Sequence, residues 1–480
     1  MPLHDDEMNR RREKREAQRR KQQAESKRLK ITLVLAAAVL ILAGVGIRKI
    51  VEMSGGDRPA QVQVPVVTEP PTEATEAPKR TEPSPTTTIH IKAAGDLNIT
   101  NHVVDAGLST GGLNYSRAFM DVASILADAD LTLLNLEGNV CGEPYGTETT
   151  SAPRELLEGL RNAGVDLLQT ANSCSINNGL IGMSATLQAI RASGMEPIGS
   201  FSNQTELQES GGYTITEVQG IKVAFVAFTK GVGGMGMPAG NESLVNLLYK
   251  DYSSTYKEVD TEGITKILKN VEAEKPDVTI ALLHWGSEYN DEISATQKSI
   301  VSLMKKRGVD VIIGTHPHMV QAIEYDMAAG TLVAYSLGDF FGDASRAGTN
   351  YSIILDVEIT KDSVTGTTRV TGYDYIPIYT LKDTEVEGDE SIYKVVRIEK
   401  AMEAFTENFL DKITQSTYDS MAYSLKRIAQ RVAVTMTVKC PDCEKEVEVL
   451  VSKSGTLAAG TECKCGYLLP ADSDVSEYED

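Results

Sequence analysis

The sequence predicts an α/β protein, and two observations carry that expectation. Short apolar runs alternate with stretches of helical spacing, the signature of a mostly parallel sheet between helical layers. Three of the six histidines then fall directly after two of those runs. H-W-G-S-E-Y (284–289) follows V-T-I-A-L-L, and G-T-H-P-H (314–318) follows V-D-V-I-I. The carboxyl ends of such strands are where α/β folds bind ligands, and neutral imidazole is the commonest metal ligand. One histidine after a strand is most often structural. Three at two successive strand ends, with only Pro317 between His316 and His318, point to a metal site.

The same pattern recurs upstream with other donors. I-H-I-K-A-A runs into Gly95-Asp96, L-T-L-L into Asn135-Leu136-Glu137, and D-L-L-Q-T into Ala171-Asn172-Ser173-Cys174. Helical spacing is expected over roughly 116–128, 153–163, 182–193, 261–273 and 294–307. Five strand ends thus deliver Asp96, Glu137, Asn172, His284 and the His316/His318 pair to one edge. A strand-end acid taken singly is usually a cap or turn residue. Carboxylate, amide and imidazole together suit one or two divalent ions, which clamp a phosphoryl group and lower the pKa of bound water to about 7.

In order, G-D, N-L-E, A-N-x-x, H-W-G-x-E-Y, G-x-H-P-H and Y-S-L-G (335–338) resemble the motifs of the capsule-synthesis CapA family, tied to poly-γ-glutamate capsules. The resemblance covers about residues 89–380. It implies a metallophosphoesterase-like β-sandwich flanked by helices around a metal centre. It also implies metal ligation by Asp96, Glu137, His284, His316 and His318, with Trp285, Gly286 and Glu288 shaping the site. The family pattern at the third motif is A-N-N-H. Here Ser173 stands where an amide ligand is expected and Cys174 where the histidine is expected, the group that by analogy with phosphoesterases protonates the leaving group. Asn177 and Asp339 stand where Asp and Asn are usual, and Asn98 replaces the histidine of the phosphoesterase D-x-H opening. Cys174 and Glu288 are therefore the candidate catalytic groups and Ser173 a weak candidate ligand. A thiol cannot do imidazole's acid/base work near its ordinary pKa, so metal binding survives these changes better than catalysis does.

The first 30 residues hold 11 Lys/Arg against 6 Asp/Glu, and residues 31–47 carry no charge. With Ile50 and Val51 included, 31–51 is long enough to span a bilayer if Arg48 and Lys49 snorkel. A basic flank before the span predicts a cytoplasmic N-terminus (1–30), a single-pass signal anchor (31–51) and an extracellular body. The alternative is a cleaved signal peptide, for which the charged region is long and no clear cleavage site follows. Residues 52–88, rich in Pro, Thr and Glu, read as an extended tether. The chain's net charge is −20, and the part after the basic N-terminus is more acidic still. Such a surface excludes nucleic acid as the expected partner and repels a polyanion unless metal or a local basic groove intervenes.

After the main domain (89–390), residues 391–435 read as amphipathic helices. C-P-D-C (440–443) and C-K-C-G (463–466), joined by strand-like E-V-E-V-L-V, resemble a zinc ribbon (436–470) with Cys440, Cys443, Cys463 and Cys465 as ligands. Disulfides are the alternative in an oxidising compartment. An acidic tail (471–480) ends the chain. Cys141 and Cys174, both expected at the same edge, are candidates for a disulfide that would replace the missing histidine with a staple. The leading functional expectation is a membrane-anchored, CapA-like surface protein in the synthesis, export or attachment of a capsular or cell-wall polymer, within a capsule-synthesis complex. An active metal-dependent phosphoesterase with an impaired site and a non-catalytic metal- or polymer-binding module are the alternatives.

Overall fold

The strands alternate with helices along the chain as predicted, and they build two main sheets, the sandwich that the resemblance implies. A computed structural model describes residues 85–480 apart from 110, 383–384, 386–392, 408–412, 453–454, 472 and 479–480. Among the described residues no helix is long and apolar enough to cross a membrane. The basic segment 1–30, the apolar segment 31–51 and all but the last four residues of 52–88 lie outside them.

In chain order the strands are β1 (Thr86–Asn98), β2 (Leu131–Glu137), β3 (Leu167–Gln169), β4 (Glu196–Ile198), β5 (Thr214–Val218), β6 (Ile221–Thr229) and β7 (Val278–His284). There follow β8 (Val311–Thr315), β9 (Ile323–Asp326), β10 (Thr331–Ala334), β11 (Asp339–Phe341), β12 (Tyr351–Asp362), β13 (Thr368–Lys382) and β14 (Tyr393–Arg397). The first sheet has the order β14-β13-β12-β1-β2-β3-β4, with β11 beside the end of β1. In it β1 to β4 are parallel and β12 to β14 antiparallel. The second has the order β9-β10-β8-β7-β6-β5, with antiparallel edges around a parallel centre. β1 begins at Thr86, so the folded domain starts inside the stretch read as tether.

Alternation along the strands explains the layering. In β7, Ile280 and Leu282 face the other sheet, where with Phe225 of the neighbouring β6 they join Ile91 and Leu133 in one apolar cluster. Ala281 and Leu283 face outward, against Ile264 and Leu268 of the helix Thr261–Ala273 and Ile300 and Met304 of the helix Ala295–Lys306. A strand buried on both faces reads as a continuous apolar run. The first sheet's outer face is covered likewise, with Leu134 and Leu136 against Leu156 and Leu160 of Arg154–Asn162 and Ile190 of Gly179–Ala192. The helix starts are written locally. Asp260 caps one helix, and Ser294 with Gln297 forms a capping box on the next.

The C-terminal segment differs from expectation at both ends. Residues 391–435 contain β14 before the helices Ile398–Glu407 and Gln415–Val432, whose Met421 and Ile428 join the inter-sheet cluster. Strands Val434–Lys439 and Glu446–Val451 then pair antiparallel, as do Thr461–Glu462 and Leu468–Leu469. The last residues are not a free acidic tail, because Val475 and Tyr478 bury against Val438, Val449 and Leu457 of the ribbon.

Candidate metal centre

The two sheets converge at their carboxyl ends, and strand register decides which side chains meet there. In the first sheet Asp96 lies opposite Asn135 on one side and Asp339 on the other, and Asn98 lies opposite Glu137. In the second, His284 pairs with Thr315 and with Thr229. The one expected edge is therefore a junction between sheets. Two close approaches demand glycine. A Cβ on Gly95 would lie 1.7 Å from the Gly338 carbonyl oxygen, and one on Gly314 would lie 1.9 Å from that of Tyr335. These glycines let the Y-S-L-G turn seat against both sheets, and Asp96 N–H donates to Gly338 O at 3.0 Å. His316 and His318 both have left-handed backbones (φ 91° and 57°). For residues other than glycine such strain persists only where surrounding structure enforces it.

Two groups of donors result. Glu137, His284 and His316, all buried, bring their ligand atoms within 4.8 Å of one another. His284 Nδ1 contacts the Thr315 hydroxyl at 3.1 Å, which turns Nε2 inward. Glu137 Oε2 and His316 Nδ1 are buried without a hydrogen-bond partner, and His284 Nε2 has only Glu137 Oε1 at 3.3 Å. Two orphaned atoms beside that carboxylate–imidazole contact are costly unless a cation satisfies them, so these residues fit a divalent ion. Asp96, His318 and Asp339 form the second group. Asp96 accepts from Asn135 Nδ2 at 2.6 Å and from the His316 backbone N–H at 3.0 Å. His318 Nδ1 lies 2.8 Å from Asp339 Oδ1, to which Asn98 Nδ2 also donates at 2.9 Å. Glu288 joins His316 and His318 in a third, more open grouping.

The electrostatics separate the groups. Burial drives the His316 pKa well down, with His284 adding to the effect, so its imidazole is neutral. Burial also acts against charge on His318, but Asp339 and the acids beyond it prevail and hold it up to about 11. The His318–Asp339 pair thus keeps a proton at neutral pH. Burial raises Asp96, with Glu137 reinforcing it. Burial would raise Glu137 too, yet His284 beside it keeps this carboxyl well below its ordinary range.

The remaining predicted residues take clear places. Asn172 is turned away from the centre, donating to Asn135 Oδ1 at 2.9 Å and to Leu136 O at 2.7 Å, so it positions the amide that holds Asp96. The Ser173 hydroxyl donates a short hydrogen bond to Glu137 Oε1. The Cys174 thiol is pushed up to about 12 by burial and by Glu137, so it stays protonated and is no general base. Cys141 and Cys174 are both free, which corrects the disulfide expectation: Cys141 Sγ sits 3.5 Å from the Ser151 hydroxyl and Cys174 Sγ 3.8 Å from that of Ser173. Trp285 is fully buried and locks the turn, its Nε1–H donating to Tyr335 O at 2.9 Å. Glu288 is exposed in the wall of a cavity of about 470 Å³, shared with His316, Ser173 and Lys230. Tyr289 stacks on His318 (5.4 Å) beneath the Arg346 guanidinium (3.9 Å). Two residues further on, Asp291 accepts from Arg431 at 2.5 Å and Arg427 at 3.4 Å, both on the helix Gln415–Val432.

Sequence reasoning treated Asp339 only as a departure from the family pattern, and it did not find Asn135's role or Lys230. The signal for Asp339 was its position one residue after a glycine turn, and for Lys230 its place at the end of an apolar strand.

The cysteine cluster near the C-terminus has equally definite geometry. Cys440 and Cys465 Sγ are 3.6 Å apart, as are Cys443 and Cys463, and all four lie within 4.8 Å of one another. Tetrahedral zinc–sulfur bonds of about 2.3 Å place sulfurs roughly 3.8 Å apart, whereas a disulfide needs about 2.05 Å. All four thiols are free in this arrangement, and their spacing fits a tetrathiolate metal site.

The fold is a helix-flanked sandwich of two sheets that gathers acids and imidazoles at its converging strand ends into a candidate metal centre. The model of the Bacterial capsule synthesis protein PGA_cap family matches residues 90–344, from β1 past every candidate ligand of the centre, and the chain belongs to that family. Among curated relatives, the PGA biosynthesis protein CapA of Bacillus subtilis (strain 168) is 27% identical over 221 residues, covering 46% of this chain and 54% of that one. The capsule biosynthesis protein CapA of Bacillus anthracis is 25% identical over 272 residues, covering 55% and 62%. The match thus spans little more than half the length of these relatives. Among solved structures, the calcineurin-like phosphoesterase YfkN from Bacillus subtilis is 15% identical with a TM-score of 0.37, covering 71% of this chain and 100% of that one.

Proposed function

We propose that this protein acts at the bacterial cell surface in the synthesis, export or attachment of a capsular polymer such as poly-γ-glutamate, through a divalent metal centre. The observation that carries this reading is the coincidence of the family match, residues 90–344, with a buried centre of Glu137, His284 and His316 that leaves donor atoms unsatisfied. Glu137, His284 and His316 would hold one ion and Asp96, His318 and Asp339 a second. A divalent ion bound there supplies charge stabilisation to an anionic oxygen and acidifies a bound water. Around it the chain's own groups have set tasks: Asn135 and Asn172 fix Asp96, Thr315 orients His284, and Glu288 in the cavity wall is the carboxylate placed to accept a proton.

Residues 31–51 support a single-pass anchor with the body outside the cell, and the ribbon thiolates would hold one zinc. The second reading, phosphoester cleavage on a wall or polymer precursor, is favoured by the paired donor groups. It is weakened by Cys174, a protonated thiol where an acid/base imidazole belongs. In the source bacterium, deleting the gene should remove polymer from the surface, measured as glutamate released by acid hydrolysis of washed cells. The wild-type gene should restore it and a His316→Ala/His318→Ala gene should not. Full restoration by the double variant would overturn the metal-centre reading.

A further inference from the structure

The cavity beside the centre holds a cation that the metal-binding argument leaves unused. Lys230 follows β6, and its backbone N–H donates to His284 O at 2.8 Å, which pins it to the strand end that carries a ligand. Its side chain is half-buried in the cavity wall shared with His316 and Ser173. Of three ammonium donors one goes to Gly286 O at 2.7 Å, and the Tyr256 ring centroid lies 4.8 Å from Nζ. Among the described residues Lys230 makes no ion pair. The one acid acting on it is Glu288, across the cavity and beyond contact. Holding an ammonium partly out of water without a carboxylate is costly, and burial pulls its pKa down. A protein of net charge −20 has acids to spare for pairing a lysine, yet this one lines the cavity with no carboxylate in contact. Gly231, Gly233 and Gly234 of the adjoining turn also line it and bring no side chains, which leaves room for a ligand group.

We propose that Lys230 is the anion-binding residue of this centre, its ammonium receiving a phosphate or carboxylate group of the ligand beside the Glu137–His284–His316 subsite. The inference deepens the metal-centre reading and rests on it for the ligand's second point of attachment. It also answers the electrostatic difficulty set by the acidic surface, since a half-buried cation gives an anion a local well against the bulk repulsion. Lys230 positions the ligand and is not assigned a role in bond making.

The test is calorimetric titration of the full-length, Mn²⁺-loaded protein with inorganic phosphate and, separately, with acetate; the two arms distinguish the sources of the anion. Wild type should bind at least one of them. Lys230→Met should weaken that binding about tenfold or more, the loss of one charge-assisted hydrogen bond, with metal content unchanged, and Lys230→Arg should restore most of it. A second measurement needs no variant: phosphate or acetate should slow acylation of Lys230 by acetic anhydride, read by peptide mass spectrometry. Unchanged affinity in Lys230→Met, no binding of either anion by wild type, or acylation of Lys230 unaffected by a bound anion would each overturn the proposal. Should the anion bind through Lys230 in protein that analysis shows to hold no metal, the metal reading fails and the anion site stands.

Discussion

Removing the metal should cost the protein a measurable part of its stability. With no ion, Glu137 Oε2 and His316 Nδ1 are buried and unbonded, while His284 Nε2 keeps Glu137 Oε1 at 3.3 Å. Each unbonded atom costs about 1–3 kcal/mol, so the empty site carries a penalty on the order of 2–6 kcal/mol. Binding linkage gives a similar scale: free ion at about 1,000 times its Kd stabilises by about 4 kcal/mol. For a domain of this size, about 2 °C of Tm per kcal/mol makes the expected drop about 8 °C. The assay is differential scanning calorimetry with and without a chelator, in a Cys440→Ser/Cys443→Ser background so that any ion held by the C-terminal thiols does not contribute. Adding His316→Ala/His318→Ala should lower the Tm of the untreated protein and abolish the response to chelator. An unchanged Tm after chelation, with metal analysis proving the ion gone, would refute the argument that the orphaned atoms are a cation's ligands.

Two further outcomes follow from the site's chemistry. Ser173→Asn with Cys174→His supplies the missing amide and imidazole, and phosphoesterase turnover should rise by roughly 100-fold to 10,000-fold, the usual worth of a general acid/base; brisk turnover by the wild type that the double change slows would contradict the impaired-site reading. His318 is held above its unfolded pKa, so the His318–Asp339 pair stabilises the metal-free protein fully below about pH 6.5 and loses that contribution as pH rises through about 11. Metal must displace this proton, so affinity at the Asp96–His318–Asp339 subsite should tighten by about tenfold per pH unit between pH 6 and 8. At the Glu137–His284–His316 subsite His316 is already neutral and has no proton to release, so the dependence should be shallower; metal titrations showing one common pH dependence would sink the distinction.

The helices over 154–162, 261–273 and 295–306 and the histidine clusters were legible because both obey local rules, period and cap for one and strand-end placement for the other. The strand pattern by itself does not divide the strands between two sheets; the sandwich was expected from the motif resemblance alone. β2 and β7 are both buried on two faces, and nothing in L-T-L-L or V-T-I-A-L-L says which neighbours they pair with. The long β12–β13 hairpin carries polar residues on its exposed side and escaped notice for lack of a continuous apolar run. Asp339 is the instructive miss: its partner, His318, is set by β11 pairing with β1, a contact across more than two hundred residues.

The helix Gln415–Val432 ends two residues before the ribbon's first strand, at Val434. Its Arg427 and Arg431 grip Asp291, three residues past Glu288 in the loop that walls the cavity. Arg431 is nine-tenths buried there, with Nε and Nη1 left unbonded. The C-terminal module and the metal centre are therefore connected in series, like a handle and a latch. A deletion series trimmed from the C-terminus would register damage at the centre as soon as it cut into this helix, although no metal ligand of the centre had been removed. Boundary mapping by truncation would then assign to the ribbon an activity that belongs some 150 residues upstream, whereas point changes at Cys440 and Cys443 leave the two arginines in place.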